Sequence, residues 1–365
     1  MSEKLPVYKP YIPKNSVKYA TDAIESTWIS SIGKYVDLAT EKLSDILGCE
    51  YVVLTNNGTS ATHLVTRSLK KFEPQVNRVL VPSACYVAAY NSLLYDNNDW
   101  EIQCVDLDVD TWNMKIDTGI KRDDAIFVVH NLGNIVNVPE LKRKYNVPII
   151  EDNCEGFFGT YENLSSGTKS ICSSLSFFGN KNVTCGEGGA FITNDKSVYE
   201  YALKLRGQGQ TKKRYVHDEL GYNYRMTNIQ AAILLGQLEE LDYIFSNKLR
   251  VYDRYTTHLK NQKNIKIQQL EKNTTHSMWM IGVKFCNLKQ YNHAKEYFDK
   301  FCIETRPMFY PYTVHSHLNF AGNNKNATIL NKQVIVFPSY PELKNSEIDY
   351  ICEKIKEFGE KYEKI

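Results

Sequence analysis

The sequence predicts an α/β protein: a large domain with a mostly parallel mixed sheet sandwiched by helices, followed by a small C-terminal α+β domain. Three observations predict it. Between residues 51 and 193, short apolar runs alternate with stretches of helical periodicity, the pattern of parallel strands joined by helices. A long helical pattern then starts near Thr227 and runs through Ile229-Gln230-Ala231-Ala232-Ile233-Leu234-Leu235 towards Tyr255, bridging to a second unit. Beyond about residue 250 the chain grows richer in charge and carries fewer strands. The division is drawn at 1–250 for the large domain with its N-terminal arm and 251–365 for the small one.

The arm, up to Pro13, is rich in Pro and Tyr and is expected to lie extended over another surface. Helical periodicity follows over 17–26 and 38–47. Strands are predicted at 51–55, 78–81, 102–105, 125–130 and 147–151, with helices at 60–71, 86–95 and 139–145 between them. Runs at 175–178 and 190–193 complete the sheet. In the small domain, strands are expected at 278–285 and 334–337 and helices at 292–301 and 346–361. Mostly parallel sheets bind ligands beyond the carboxyl ends of their strands, and the residues of chemical interest fall there.

Composition excludes several classes. Hydrophobic content of 42% with 24% charged residues describes an ordinary folded chain, and a net charge of +2 leaves no basic stripe for nucleic acid. The start (Met1-Ser2-Glu3-Lys4-Leu5-Pro6) has no apolar signal core, and no apolar run is long enough to span a bilayer; a cytoplasmic protein is expected. The nine cysteines are scattered, without a CxxC or a cysteine–histidine cluster of zinc spacing, so no metal site is predicted.

Ser176-Phe177-Phe178-Gly179-Asn180-Lys181, followed by Gly186-Glu187-Gly188-Gly189, places a lysine in a polar turn after an apolar strand. Such a lysine either forms a Schiff base, which points to pyridoxal phosphate, or is a solvated surface lysine. The glycine run lacks GK[ST] and precedes no helix, which rejects a P-loop. Asn56-Asn57-Gly58-Thr59-Ser60-Ala61 lies between a strand and a helix. It reads as an anion-binding turn, as a cap with Thr59 or Ser60 at the N-cap, or as both. Asp152 closes the apolar run Val147-Pro148-Ile149-Ile150, with Glu151 before it, and suits either a cofactor ring nitrogen or a turn. Tyr86 offers an aromatic face or core packing, and Ser176 reaches towards the same phosphate as the Gly58-Thr59-Ser60 turn. Gly221-Tyr222-Asn223-Tyr224-Arg225-Met226-Thr227-Asn228 is either a site or subunit contact, or a helix cap. Arg306 is a phosphate or carboxylate clamp or a surface charge.

Taken in order, these segments resemble the DegT/DnrJ/EryC1/StrS family of sugar aminotransferases. The resemblance begins at Trp28-Ile29-Ser30-Ser31-Ile32-Gly33 and continues through Asn57-Gly58-Thr59-Ser60-Ala61, Val81-Pro82-Ser83-Ala84-Cys85-Tyr86 and Ile150-Glu151-Asp152 to the lysine segment. The segment 221–227, Ile303-Glu304-Thr305-Arg306-Pro307 and Phe337-Pro338-Ser339 complete it. The lysine and glycine segments look most like the perosamine synthase branch.

The resemblance implies a fold-type I, aspartate aminotransferase-like enzyme that uses pyridoxal 5'-phosphate, and its pyridoxamine form in the second half-reaction. It also implies a homodimer with active sites built from both subunits. Lys181 would be the Schiff-base lysine and proton shuttle, Asp152 would pair with the ring nitrogen, and Tyr86 would stack on the ring. Gly58, Thr59, Ser60 and Ser176 would hold the phosphate, with Asn223 reaching the cofactor of the neighbouring subunit. Glu155 stands where many relatives carry glutamine, near the ring hydroxyl, and Ser30, Arg306 and Tyr310 fall on the nucleotide-sugar side. Two departures, His130-Asn131-Leu132-Gly133-Asn134-Ile135-Val136-Asn137-Val138 and Cys85, are expected to stand clear of the core chemistry.

The implied reaction moves the amino group of L-glutamate to C4 of a nucleotide-linked 4-keto-6-deoxyhexose, giving a viosamine- or perosamine-type sugar. Its alternatives are amination at C3 and a dehydratase of the same fold. Dehydratase relatives replace the lysine by histidine, so Lys181 argues against the latter.

Overall fold

The computed structural model describes residues 4–116 and 119–363; Met1, Ser2 and Glu3 of the predicted arm lie outside them. Helices α1 (Lys14–Glu25) and α2 (Lys34–Leu47) precede β1 (Tyr51–Thr55), α3 (Gly58–Phe72), β2 (Arg78–Pro82) and α4 (Val87–Leu94). Then come β3 (Glu101–Val105), β4 (Asp124–Val129), α5 (Val138–Lys144) and β5 (Ile149–Asp152). A hairpin of β6 (Thr160–Tyr161) and β7 (Leu164–Ser165) leads to β8 (Ser173–Ser176), β9 (Gly189–Thr193) and α6 (Lys196–Arg206). Helices α7 (Asn228–Glu239) and α8 (Leu241–Leu259) connect to β10 (Ile265–Ile267), β11 (Ile281–Phe285), α9 (Tyr291–Asp299) and β12 (Arg306–Pro307). The chain closes with β13 (Ala321–Gly322), α10 (Lys325–Gln333), β14 (Val334–Phe337) and α11 (Asn345–Glu363).

Among the described residues the large sheet has eight strands in the order β1-β9-β8-β5-β4-β2-β3-β13. Only β9 runs against its neighbours, so the sheet is mostly parallel as expected. β4 and β5 are buried throughout, which is why they read as continuous apolar runs in the sequence. A second, four-stranded antiparallel sheet has the order β10-β11-β14-β12. The tiny strand β13, from the C-terminal third of the chain, adds to the edge of the large sheet beside β3.

Several elements differ from expectation for identifiable reasons. The single helix expected from 227 to 255 is two, broken at Glu240, whose φ of −105° and ψ of 21° leave the helical region. Strand β8 begins at Ser173, two residues before the predicted apolar run. Its serines are buried because Ser173 Oγ donates to Gly167 O at 2.9 Å and Ser174 Oγ accepts from Thr62 Oγ1 at 2.9 Å. Strand β11 starts only at Ile281, since Met278 takes a left-handed φ of 60°. Helix α6 was not predicted, although Asp195 caps it by accepting from Ser197 N and Val198 N. The arm lies on the chain's own C-terminal segment: Leu5 N donates to Cys302 O, Glu304 N to Leu5 O, and Val7 N to Glu304 Oε2.

Candidate active site

The carboxyl ends of β1, β5 and β8 meet at one edge of the sheet, and β9 starts there; the register pairs Gly189 with both Thr55 and Ser176. This edge is where α3 begins. Its N-cap is Asn57, whose side chain accepts from Ser60 N at 2.8 Å, rather than Thr59 or Ser60. Asn57 takes the role because it has the extended backbone of an N-cap, while Thr59 and Ser60 are already helical. The N–H groups of Gly58 and Thr59, first in the helix, have no intrahelical acceptor and face the end where the dipole is positive.

Glycine at 58 is required by Ser176. A Cβ there would stand 2.7 Å from Ser176 Cβ and 2.9 Å from its Oγ. Gly189 is likewise pressed onto the turn, with Asn57 O at 2.5 Å from a built Cβ. The four residues expected to hold a phosphate thus lie together as one candidate cradle, Gly58 against Ser176 and Thr59 and Ser60 in the same first turn of α3.

Asp152, the last residue of β5, is buried and accepts from Cys154 N at 3.0 Å. Among the described residues no cationic side chain pairs with it. A buried carboxyl group held by one backbone donor suits a protonated ring nitrogen, which would supply the missing partner. Glu155 is also buried, and its Oε2 accepts from Leu132 N at 2.8 Å. Burial, with the neighbouring Asp152 charge, pushes its carboxyl up to about 7, although Lys181 and the Leu132 N–H pull the other way. The segment from His130 to Val138 was expected to stand clear of this chemistry, yet it delivers that N–H. It turns through a left-handed Leu132 (φ 56°), and is fixed because Val136 N donates to His130 Nδ1, leaving Nε2 to donate to Glu151.

Lys181 lies in a closed turn after β8. Its N donates to Phe178 O at 2.9 Å, and Cys185 N and Thr184 Oγ1 both donate to Phe177 O. Tyr8 of the arm donates its hydroxyl to Lys181 O at 2.7 Å. The Nζ stands 4.0 Å from the centroid of the Trp279 ring. Neither Tyr8 nor Trp279 was singled out in the sequence, because both are brought in from distant segments.

The remaining candidates divide. Tyr86 is the N-cap residue of α4, is 57% exposed and lies beside Phe309 with ring centroids 6.2 Å apart, so it is not a core tyrosine. Tyr310 is brought near it: Tyr312 N donates to Ser83 O, and Ala84 bridges Pro311. Arg306 is on β12, in the other sheet, exposed and 3.6 Å from Glu304, and among the described residues no hydrogen bond or ion pair joins it to the lysine turn. Ser30 is exposed and its carbonyl accepts from Asn228 N. Gly33, nearby, packs so closely on the Asn228 side chain that a Cβ would meet it at 2.3 Å.

Asn223 is exposed, and its side chain has no hydrogen-bond partner among the described residues. Its neighbours are not free. Tyr222 and Tyr224 stack at 4.8 Å; Tyr222 donates to Asp96 Oδ2, and Tyr224 OH lies 3.0 Å from His63 Nδ1. His63 Nε2 in turn meets Asp96 at 2.7 Å. The tyrosines hold one side of the loop on α3, and the alternation Tyr-Asn-Tyr turns Asn223 to the other. Thr227 caps α7 in a full capping box with Gln230, so the loop is both a cap and a candidate contact.

Comparison with known proteins decides the family. The pattern of the DegT/DnrJ/EryC1/StrS aminotransferase family matches residues 10–356. The chain belongs to this family. Within it, this DegT/DnrJ/EryC1/StrS protein is 34% identical over 369 residues to a GDP-perosamine synthase of Escherichia coli O157:H7, covering 97% of the chain and 98% of that relative. This family member is therefore a transaminase. Its fold is that of E. coli GDP-4-keto-6-deoxy-D-mannose-3-dehydratase with bound hydrated PLP (TM-score 0.89, 21% identity, 97% and 100% of the two chains). It is equally that of a Helicobacter pylori aminotransferase involved in the biosynthesis of pseudoaminic acid (TM-score 0.88, 21% identity, 98% and 100%). At such identities the two structures speak for the fold alone. No helix among the described residues is long and apolar enough to cross a membrane.

Proposed function

We propose that this chain is a pyridoxal phosphate-dependent aminotransferase that moves the amino group of L-glutamate to C4 of a nucleotide-linked 4-keto-6-deoxyhexose. The product is a 4-amino-4,6-dideoxy sugar nucleotide of the viosamine or perosamine type. The observation that carries the reading is full-length similarity to a GDP-perosamine synthase together with Lys181 on the edge that holds Asp152 and Ser176.

Pyridoxal phosphate, when bound, carries the amino group between the two substrates and draws electrons from the reacting carbon. Gly58, Thr59, Ser60 and Ser176 bind its phosphate through backbone N–H and hydroxyl donors at the start of α3. Asp152 keeps a proton on the ring nitrogen. Lys181 Nζ moves the proton at the reacting carbon, as base and then as acid, which a histidine-bearing dehydratase relative would do differently. Tyr86, exposed at the rim, orients the ring face, and Glu155 lies near the ring hydroxyl.

The molecule works as a homodimer in this reading. The unpartnered, exposed Asn223 and the exposed apolar run of Trp28 (58%), Ile29 (50%) and Ile32 (67%) support a shared site. Ser30, Arg306 and Tyr310 are assigned to the nucleotide-sugar side, and the domain division is placed within α8, at residue 250.

Purified protein is expected to be yellow, to bleach on adding L-glutamate and to regain colour with the correct keto-sugar nucleotide. Mass spectrometry of products from GDP-, UDP- and dTDP-linked 4-keto-6-deoxyhexoses identifies the substrate. An unchanged spectrum with glutamate refutes the donor; a product aminated at C3 refutes the regiochemistry.

A further inference from the structure

The geometry points to Trp279 as the resting surface for the Lys181 ammonium, a positioning residue that holds the lysine whenever its nitrogen is free. The inference rests on the reading of Lys181 given above and deepens it.

The contact is direct: Nζ lies 4.0 Å from the indole centroid, well within the roughly 6 Å reach of a cation–π interaction, for which tryptophan is the best partner. The indole is fixed independently of the lysine. Its Nε1 donates to Asn180 O at 2.8 Å, one residue before Lys181, so the ring is tied to the turn it serves. Its backbone oxygen accepts from Lys248 Nζ at 3.0 Å and from Ser339 Oγ at 3.2 Å, and its N donates to Ser277 Oγ. Met278, with its left-handed backbone, bends the chain immediately before the ring, ahead of β11. Trp279 is 6% exposed, so the ring face that Lys181 covers is largely shielded from water.

Carboxylates are the obvious competitors. Glu155 lies near enough to feel the lysine charge, yet neither it nor Asp152 forms an ion pair with Lys181 among the described residues. The difference matters chemically. A carboxylate would pin the ammonium and accept its proton, whereas an indole face attracts the charge, accepts no proton and releases the nitrogen when a better partner arrives. In a desolvated site such a face favours the held over the released lysine by about tenfold.

The test needs no substrate. The full-length chain, freed of cofactor, is made with tryptophan carrying zero to three ring fluorines, which drain the indole face of negative potential while barely changing its shape. Lys181 is then acylated at a fixed, mildly alkaline pH, and its labelling is read by mass spectrometry against exposed Lys196. The ratio should rise stepwise with fluorine to about tenfold. In a Trp279→Phe chain, fluorination of the other tryptophans should leave it unchanged. A flat series in the unmutated chain overturns the proposal, as does an equal rise in Trp279→Phe. Should that variant not fold, the unmutated series alone decides. Because the labelling and the glutamate bleaching share no reagent, failure of one leaves the other standing.

Discussion

The eight-stranded sheet carries polar residues where β1, β5 and β8 end, at Thr55, Asp152 and Ser176, while β14 at the heart of the four-stranded sheet is apolar throughout. Around β14 the rings of Phe285, Phe298, Phe337 and Phe358 close on one another, with Phe298 and Phe337 at 4.8 Å and Phe285 and Phe358 at 5.0 Å. One sheet leaves groups for a ligand to satisfy; the other satisfies itself. Damage to the first should therefore cost chemistry and leave folding intact, and damage to the second should do the reverse.

The sharpest way to break this contrast is at Lys181. Lys181→Ala should lower steady-state turnover by about ten-thousandfold, with a melting temperature close to that of the parent. A variant that completes turnover at the parental rate would end the assignment. On the other side, Phe298→Ala should destabilise by about 3–5 kcal/mol in chemical denaturation, through the cavity it opens. The molecules that remain folded should keep their KM; a changed KM would mean that the two sheets are not separable in this way.

Gly58→Ala probes the cradle more gently. Its new Cβ must push Ser176 aside, so pyridoxal phosphate affinity, measured by equilibrium dialysis, should fall by about a hundredfold.

The smallest effect is at Glu155. Its carboxyl is raised from 4.5 to about 7 in the fold, so the folded chain holds more protons than the unfolded one between those values. The stability it contributes is full below about 4.5 and is lost as pH rises through about 7. Glu155→Gln, which can still accept from Leu132 N, should flatten that part of the stability–pH curve of the cofactor-free chain. An unchanged slope would show that the burial of Glu155 does not govern its titration.

The sheet was legible because its buried strands are short apolar runs and its crossovers are amphipathic. The cradle and Asp152 were legible because each is local: a strand end, a turn and a helix start within a few residues. What escaped has a physical reason in each case. Leu238-Glu239-Glu240-Leu241 contains neither glycine nor proline, so nothing marks the break between α7 and α8. Asn56-Asn57-Gly58-Thr59-Ser60 offers several capping residues in succession, and only backbone geometry selects Asn57. Trp279 sits in an apolar run that reads as strand, and its turn towards Lys181 depends on a left-handed Met278 that the sequence does not announce. The His63–Asp96–Tyr222 group joins three segments far apart in the chain.

The strap made by the arm has a consequence for how the chain is made. Val7 is bonded to Glu304, 297 positions later, its oxygen accepts from Ser339 N, and Tyr8 then reaches back to Lys181. During synthesis Val7 leaves the ribosome long before Glu304 and Ser339, so its own docking must wait until those residues have emerged. The clasp on the lysine turn is thus fastened late, by residues made long before the segment that holds them in place.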